Sequence, residues 1–342
     1  MNNADIKLLE KYTEKQITNA IFYLEIGGET ARRREKILSG LNQVQYAVQN
    51  EDDPERLNRI INRGLDILTE LMTQHENNTL NPIKNEIMHV LDDLEQHPIY
   101  IPSQFDKLNR MLGGGFYPSD LIIIAGKPGM GKTSMMLSLA NHVSQTKKTL
   151  FFSAEMSKDQ LIHRLIASRS QVNLRRLRAR ELNKNDWSGV TTSAGDIAEL
   201  KLWIDDRSAP TIQRMQDTAG EIKPEIIFVD YLQILNGQSQ KLFEGVTKLS
   251  GGLKALAKEF NCPVICGSQL SRKSDDRRDK RPILSDLRQS GAIEQDADIV
   301  AFLHRENETD PTELIIRKHR NGPTGTVLFD FKNVYTDFEE KE

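Results

Sequence analysis

Two kinds of hydrophobic periodicity divide this chain near residue 100. Before that point, apolar residues recur at intervals of three and four. Leu57, Ile60, Ile61, Leu65, Leu68, Leu71 and Met72 form one such stripe, opened by Asp53-Pro54, an N-cap with proline at the first helical position. Ile37, Leu38, Leu41, Val44 and Val48 form another, joined to the first by the turn-like Gln49-Asn50-Glu51-Asp52. The pair predicts an antiparallel helical hairpin. A polar break, His75-Glu76-Asn77-Asn78-Thr79, separates it from a short amphipathic helix capped by Asn81-Pro82. Ile83, Ile87, Val90, Leu91 and Leu94 share one face of that helix. Periodicity leaves open whether this face packs on its own domain or docks on another subunit.

From Pro102 onward the pattern changes to short apolar runs separated by amphipathic segments. Strands are predicted at 121–125, 150–152, 202–204, 226–229, 263–266 and 299–303, with helical patterns such as 161–166 and 249–260 between them. This alternation predicts a mostly parallel sheet with helices on both faces. Two last strands, 313–317 and 327–331, flank the turn residues Asn321-Gly322-Pro323-Thr324-Gly325, so the sheet is expected to end in an antiparallel hairpin. The expected organisation is an all-α N-terminal domain over 1–78, a linker helix within 79–100 and an α/β domain over 101–342.

The first candidate chemistry lies directly after the run at 121–125. Gly126, Lys127, Pro128, Gly129, Met130, Gly131, Lys132 and Thr133 fit G-x-x-x-x-G-K-[ST], between a predicted strand and a good helix former. Backbone N–H groups at the start of such a helix bind phosphates. Lys132 supplies a charge for the β and γ phosphates, and the Thr133 hydroxyl is a ligand for Mg²⁺. ATP or GTP is therefore the expected ligand. About 100 residues downstream, Ile226-Ile227-Phe228-Val229-Asp230 is an apolar strand ending in a carboxylate, the pattern of a second Mg²⁺-holding residue. Glu155 follows the run at 150–152. Ser157 and Gln160 form a capping box of their own, leaving Glu155 free to polarise an attacking water from a strand expected next to that of the P-loop. Gln269 closes the strand near 263–266 as a neutral amide, and a lone glutamine in such a place is usually solvated.

Composition narrows the setting. The 342 residues carry a net charge of −3 and a pI near 6.2, so any nucleic-acid contact must be local rather than global. No apolar run is long enough to span a bilayer, and Met1-Asn2-Asn3-Ala4-Asp5 is no signal peptide. No membrane partner is expected. Cys262 and Cys266 flank a β-rich run without histidines nearby, which fits core thiols in a reducing cytoplasm better than a metal site.

Together these segments resemble the DnaB-type replicative DNA helicases, hexameric motors with RecA-like ATPase domains. The resemblance rests on the P-loop, on Ser153-Ala154-Glu155-Met156, Val229-Asp230-Tyr231-Leu232-Gln233, 253–259 and Ser268-Gln269-Leu270. Its most specific parts are the stretch 285–298 and Lys318-His319-Arg320-Asn321-Gly322-Pro323. By resemblance, Glu155 is the catalytic glutamate, Asp230 the Mg²⁺ aspartate and Gln269 the γ-phosphate sensor. Lys318 and Arg320 are the pair inserted in trans into a neighbouring subunit's site, Arg320 as the arginine finger. Arg288, Gln289 and Gly291 belong to a central-channel loop that tracks single-stranded DNA. Many relatives carry glutamate at the position of Gln289. The resemblance implies a RecA-like P-loop domain, ATP with Mg²⁺, a homo-oligomeric ring with composite sites, and contacts to a helicase loader and primase. Its N-terminal region is shorter than the family's usual one. Two other readings stay open: a RecA-like filament ATPase that pairs strands, and a shortened paralogue that regulates a host helicase.

Overall fold

A computed structural model describes residues 99–207, 211–230, 242–270 (backbone alone at 242–248), 279–287 and 291–341, with Ile83 and Ile87 as single helical positions. The predicted hairpin and most of the linker helix lie outside the described residues, as do Arg288 and Gln289. Pro98–Glu342 forms one compact unit, and the following concerns that unit alone.

Its centre is β1 (Leu121–Gly126), buried at every position. The strand reads as a continuous apolar run because both of its faces are covered. Side chains alternate across the pleat, so Ile122 and Ile124 join one core while Leu121, Ile123 and Ala125 join the other. The first core is closed by α2 (Lys132–Val143), which contributes Met135, Met136 and Leu139. The second is closed by α7 (Leu242–Glu259), through Leu253, Leu256 and Ala257.

The nine described strands run in the order β3-β2-β4-β5-β1-β6-β7-β8-β9. β2 (Thr149–Ser153), β3 (Leu202–Asp205), β4 (Ile226–Asp230), β5 (Val264–Gln269) and β6 (Ile299–His304) pair in parallel around β1. β7 (Thr312–His319), β8 (Gly325–Lys332) and β9 (Asp337–Glu340) continue antiparallel, with a register shift between Val300 and Ala301 where β7 meets β6. The expected parallel sheet and its terminal hairpin are both present. β9 was not foreseen, because Asp337-Phe338-Glu339-Glu340 carries one apolar residue and no strand-like alternation.

One expectation is corrected. β2, which leads to Glu155, does not neighbour the P-loop strand: β4 and β5 stand between them. Sequence order misleads here because a parallel sheet places later strands between earlier ones by crossover. α3 (Lys158–Ser170) starts at the expected capping box: Ser157 N donates to Gln160 Oε1 at 3.0 Å and Gln160 N to Ser157 Oγ at 3.4 Å. Cys262 and Cys266 are free, buried thiols of the second core, and burial pushes the Cys262 thiol up to about 12.

A candidate nucleotide site at the carboxyl ends of the strands

Because β1, β2, β4, β5 and β6 are parallel, their last residues meet at one edge. Register sets Gly126 beside Gln269 on one side and Leu303 on the other, and Ser153 beside Asp230. Ligands of open parallel sheets bind outside this edge. A cavity of about 270 Å³ opens there, and Lys132, Thr133, Glu155, Asp230 and Gln269 all line it. Five residues singled out from the sequence thus converge from three strand ends and one helix.

The loop's shape explains its glycines. Gly129 and Gly131 have φ of +81° and +88°, in the left-handed region. A Cβ on Gly131 would also stand 3.0 Å from Phe338 and 3.1 Å from Phe331. α2 begins immediately afterwards with no side-chain cap. The N–H groups of its first turn, which no helix satisfies internally, are therefore left for a ligand.

Lys132 folds back so that Nζ donates to the Gly126 carbonyl at 3.0 Å. Burial pulls its amine below the usual lysine range, while Asp230 and Glu155 work the other way. Thr133 Oγ1 donates to Asp230 Oδ2 at 2.7 Å. Asp230 is 1% exposed, and its Oδ1 is buried without a hydrogen-bond partner. Burial, with Glu155 in second support, raises its carboxyl; the Thr133 hydrogen bond, Lys132 and Arg164 oppose the shift. An unpartnered buried carboxylate oxygen is costly unless something fills its need. A divalent cation fits that need. Among the described residues no cluster of three or more His, Cys, Asp or Glu could hold a metal. One carboxylate and one hydroxyl, completed by phosphate and water oxygens, is the way proteins commonly hold Mg²⁺.

Sequence reading did not assign five lining residues to the site: Ser134, Met156, Arg164, Phe331 and Asn333. Arg164 of α3 donates from Nη1 to Ser134 Oγ at 3.2 Å; burial lowers its pKa, and Asp230 and Glu155 attract its charge. Its signal was available: it is a cation on the face that Leu161 and Leu165 bury. Phe331 and Asn333 come from the end of β8. Phe331 stacks on Phe338 with centroids 4.4 Å apart, and the Arg305 guanidinium lies 5.7 Å from its ring centre. In sequence, Phe331 only continues the alternation of Val327 and Phe329, so it reads as core.

Lys318 and Arg320 are elsewhere. Asp298 N donates to Leu121 O, and the Arg320 amide donates to Asp298 O, both at 2.9 Å, so Arg320 stands level with the start of β1. At roughly 3.3 Å per residue, the length of β1 separates Leu121 from Gly126 by roughly 17 Å. An arginine side chain cannot span that distance to its own P-loop. Gly291 opens α8 (Gly291–Asp296), whose carboxyl end lies beside both cations.

A family model for the DnaB-like helicase C-terminal domain matches residues 100–340. The replicative DNA helicase DnaC of Bacillus subtilis is 33% identical over 95% of this chain and 75% of its own length. The replicative DNA helicase DnaB of Geobacillus stearothermophilus is 34% identical over the same shares. Among solved structures, the ATPase domain of G40P superposes with a TM-score of 0.72 at 33% identity, covering 77% of this chain and all of that one. A DnaB-like replicative helicase, described with its interactions with primase, gives 0.72 at 30% identity over 91% of this chain and 76% of the other. With the family model matched across residues 100–340 and relatives at 33% and 34% identity over most of both chains, the chain belongs to the DnaB-like helicases.

Proposed function

We propose that this chain is an ATP-driven replicative DNA helicase that acts as a ring, with each nucleotide site shared between two subunits. The observation that carries the shared site is the separation of Arg320 from its own P-loop by the length of β1. A finger so far from its own phosphates serves only a neighbour's.

Within one subunit, the α2 amides and Lys132 hold the phosphates of ATP. Thr133 and Asp230 would hold Mg²⁺, which when bound would neutralise charge on the phosphate oxygens. Glu155 accepts a proton from the attacking water, and Gln269 contacts the γ-phosphate. Phe331, which lines the cavity, offers an aromatic surface for the base. From the neighbour, Arg320 and Lys318 stabilise charge on the phosphoryl group in transfer, which makes turnover conditional on assembly. Residues Arg288, Gln289 and Gly291 contact single-stranded DNA, with backbone amides and one cation suited to sequence-blind tracking. Translocation is 5′ to 3′ by family analogy.

The proposed organisation keeps a helical domain over 1–78 and a linker helix within 79–100. Ile83 and Ile87 are 82% and 53% exposed, which supports an apolar helix face that another surface covers in a ring. A hexamer, a loader and a primase are the partners this reading implies, and a site inside the cytoplasm suits them. Among the described residues no helix is long and apolar enough to cross a membrane.

Strand displacement on a forked duplex, measured beside the ATPase rate with and without single-stranded DNA, tests the reading. A helicase gives DNA-stimulated hydrolysis and displacement that weaken as salt rises. Stimulated hydrolysis without displacement, with open filaments in electron micrographs, would select the strand-pairing alternative. The absence of both would select a regulatory paralogue.

A further inference from the structure

Arg320 is 44% exposed just after β7, and an arginine side chain in that position has rotamer entropy to lose before it can act as a rigid finger. Its surroundings remove that freedom. Asp298, 7% exposed, is a carboxylate already fixed from two sides: its Oδ2 accepts from the Leu121 amide at 2.8 Å and from Lys254 Nζ at 2.5 Å. Lys254, on α7, is itself anchored on Ser119 O at 2.7 Å. The remaining oxygen, Oδ1, accepts from Arg320 Nη1 at 3.2 Å. The other terminal nitrogen, Nη2, donates to Gln295 O, and Lys318 Nζ donates to Glu294 O and, at 2.6 Å, to Ala297 O. These carbonyls end α8, where a helix leaves its C=O groups unpaired and cations are favoured.

We propose that Asp298 is a positioning residue for Arg320, holding the two finger cations as one unit with the carboxyl end of α8 and the start of β1. This rests on the reading of Arg320 as a finger in trans. A guanidinium has five N–H donors. The cis contacts use one on each terminal nitrogen, so donors remain for a phosphate oxygen. Asp298 therefore aims the group and leaves it able to act. Because Asp298 is bonded to Leu121, the first residue of the P-loop strand, the aim of the finger is referenced to the rigid centre of its own subunit.

The test compares Asp298→Asn, Arg320→Ala and the double variant in the full-length assembly. Asp298→Asn is expected to lower DNA-stimulated ATPase at least about tenfold, as part of the about 10³–10⁵ that a finger supplies. Binding of a fluorescent ATP analogue to its own P-loop is expected to stay within about twofold of wild type, since Asp298 lies at the other end of β1. In the Arg320→Ala background the same substitution should change residual turnover by less than about twofold, because it acts through a group no longer there. Mixing Asp298→Asn with Lys132→Ala subunits, with exchange confirmed by labelled protein, should restore turnover at intermediate ratios. Asp298→Ser, whose shorter side chain leaves no acceptor for Arg320 Nη1, replaces the asparagine variant if that one fails to assemble, with the same expectations. Wild-type turnover by Asp298→Asn beside an inactive Arg320→Ala would overturn the positioning role and leave the finger standing. An equal loss in the Arg320→Ala background, or weakened nucleotide binding, would make Asp298 merely structural. Wild-type turnover by Arg320→Ala would remove the finger reading and this inference with it.

Discussion

The Thr133 hydroxyl donates to the Asp230 carboxylate across 2.7 Å, joining the first turn of α2 to the end of β4 although the two lie 97 residues apart. The bond occupies one carboxylate oxygen and leaves the other buried and unpartnered. A Mg²⁺ ion bound with nucleotide would compete for both groups. The fold itself thus brings together the two groups proposed to hold Mg²⁺ beside the nucleotide.

Lys132 and Glu155 line the same cavity and should fail differently when altered. Lys132→Ala removes a phosphate contact present in the bound ground state, so both ATP affinity and turnover are expected to collapse. Glu155→Gln should retain near-normal ATP affinity and lose about 10²–10⁴ in turnover, the range of a general base. Paired binding and single-turnover measurements separate the two. Near-normal turnover by Glu155→Gln would assign the base elsewhere.

Gly131→Ala should be worse than Gly129→Ala. Both positions have positive φ, where a Cβ costs roughly 1–2 kcal/mol. At Gly131 that Cβ also meets Phe338 and Phe331, whereas at Gly129 nothing lies within 4 Å. ATP affinity is expected to fall by at least about tenfold more at Gly131, read by titration calorimetry. Equal losses would mean that backbone strain alone sets the effect.

Phe331→Ala should weaken ATP binding by about tenfold or more, since base–aromatic stacking is worth about 1–3 kcal/mol. Inorganic triphosphate, which has no base, should bind the variant and the wild type alike. A parallel loss for both ligands would place Phe331 in support of the loop instead, through the contact it makes beside Gly131.

How far the sequence spoke depends on what each element needed. β1, β4 and β6 were legible because burial on both faces leaves uninterrupted apolar runs. The P-loop was legible because its backbone demands glycine at fixed offsets. Strand order was not, so Glu155 was assigned to a neighbour of β1 when β4 and β5 intervene. Asp298 closes the stretch 285–298 that carried the resemblance, but its role was not legible, because its partners Leu121, Lys254 and Arg320 come from three distant segments. Phe331 looked like core, and its inner face is core: it stacks on Phe338. Arg164 was the missed opportunity, a cation at an apolar position of a short helix.

Asp120 supplies a pH dependence. Burial first, and Asp298 second, push its carboxyl up from 3.8 to about 6, against the pull of Lys254 and Arg320. The folded state therefore keeps its proton where the unfolded chain has lost it. Stability from this group is present at low pH and is lost as pH rises from about 4 through about 6. Asp120→Asn should remove that slope. In denaturant titrations, the stability of Asp120→Asn relative to wild type is expected to grow between pH 4 and pH 6.5 and then level off. A difference that stays constant across this window would rule the titration out.

The claim that each site is shared between subunits stands on Arg320, and one experiment meets it directly. Arg320→Ala subunits keep an intact P-loop, and Lys132→Ala subunits keep an intact finger. Each alone should be nearly inactive on single-stranded DNA, because fingers of this kind are worth about 10³–10⁵ in rate. Mixed and allowed to exchange, they rebuild interfaces that pair a sound P-loop with a sound finger. ATPase rate measured against mixing ratio should rise from both ends to a maximum at intermediate ratios. Full activity of Arg320→Ala by itself, or a flat profile in mixtures whose subunits have exchanged, would contradict the shared site.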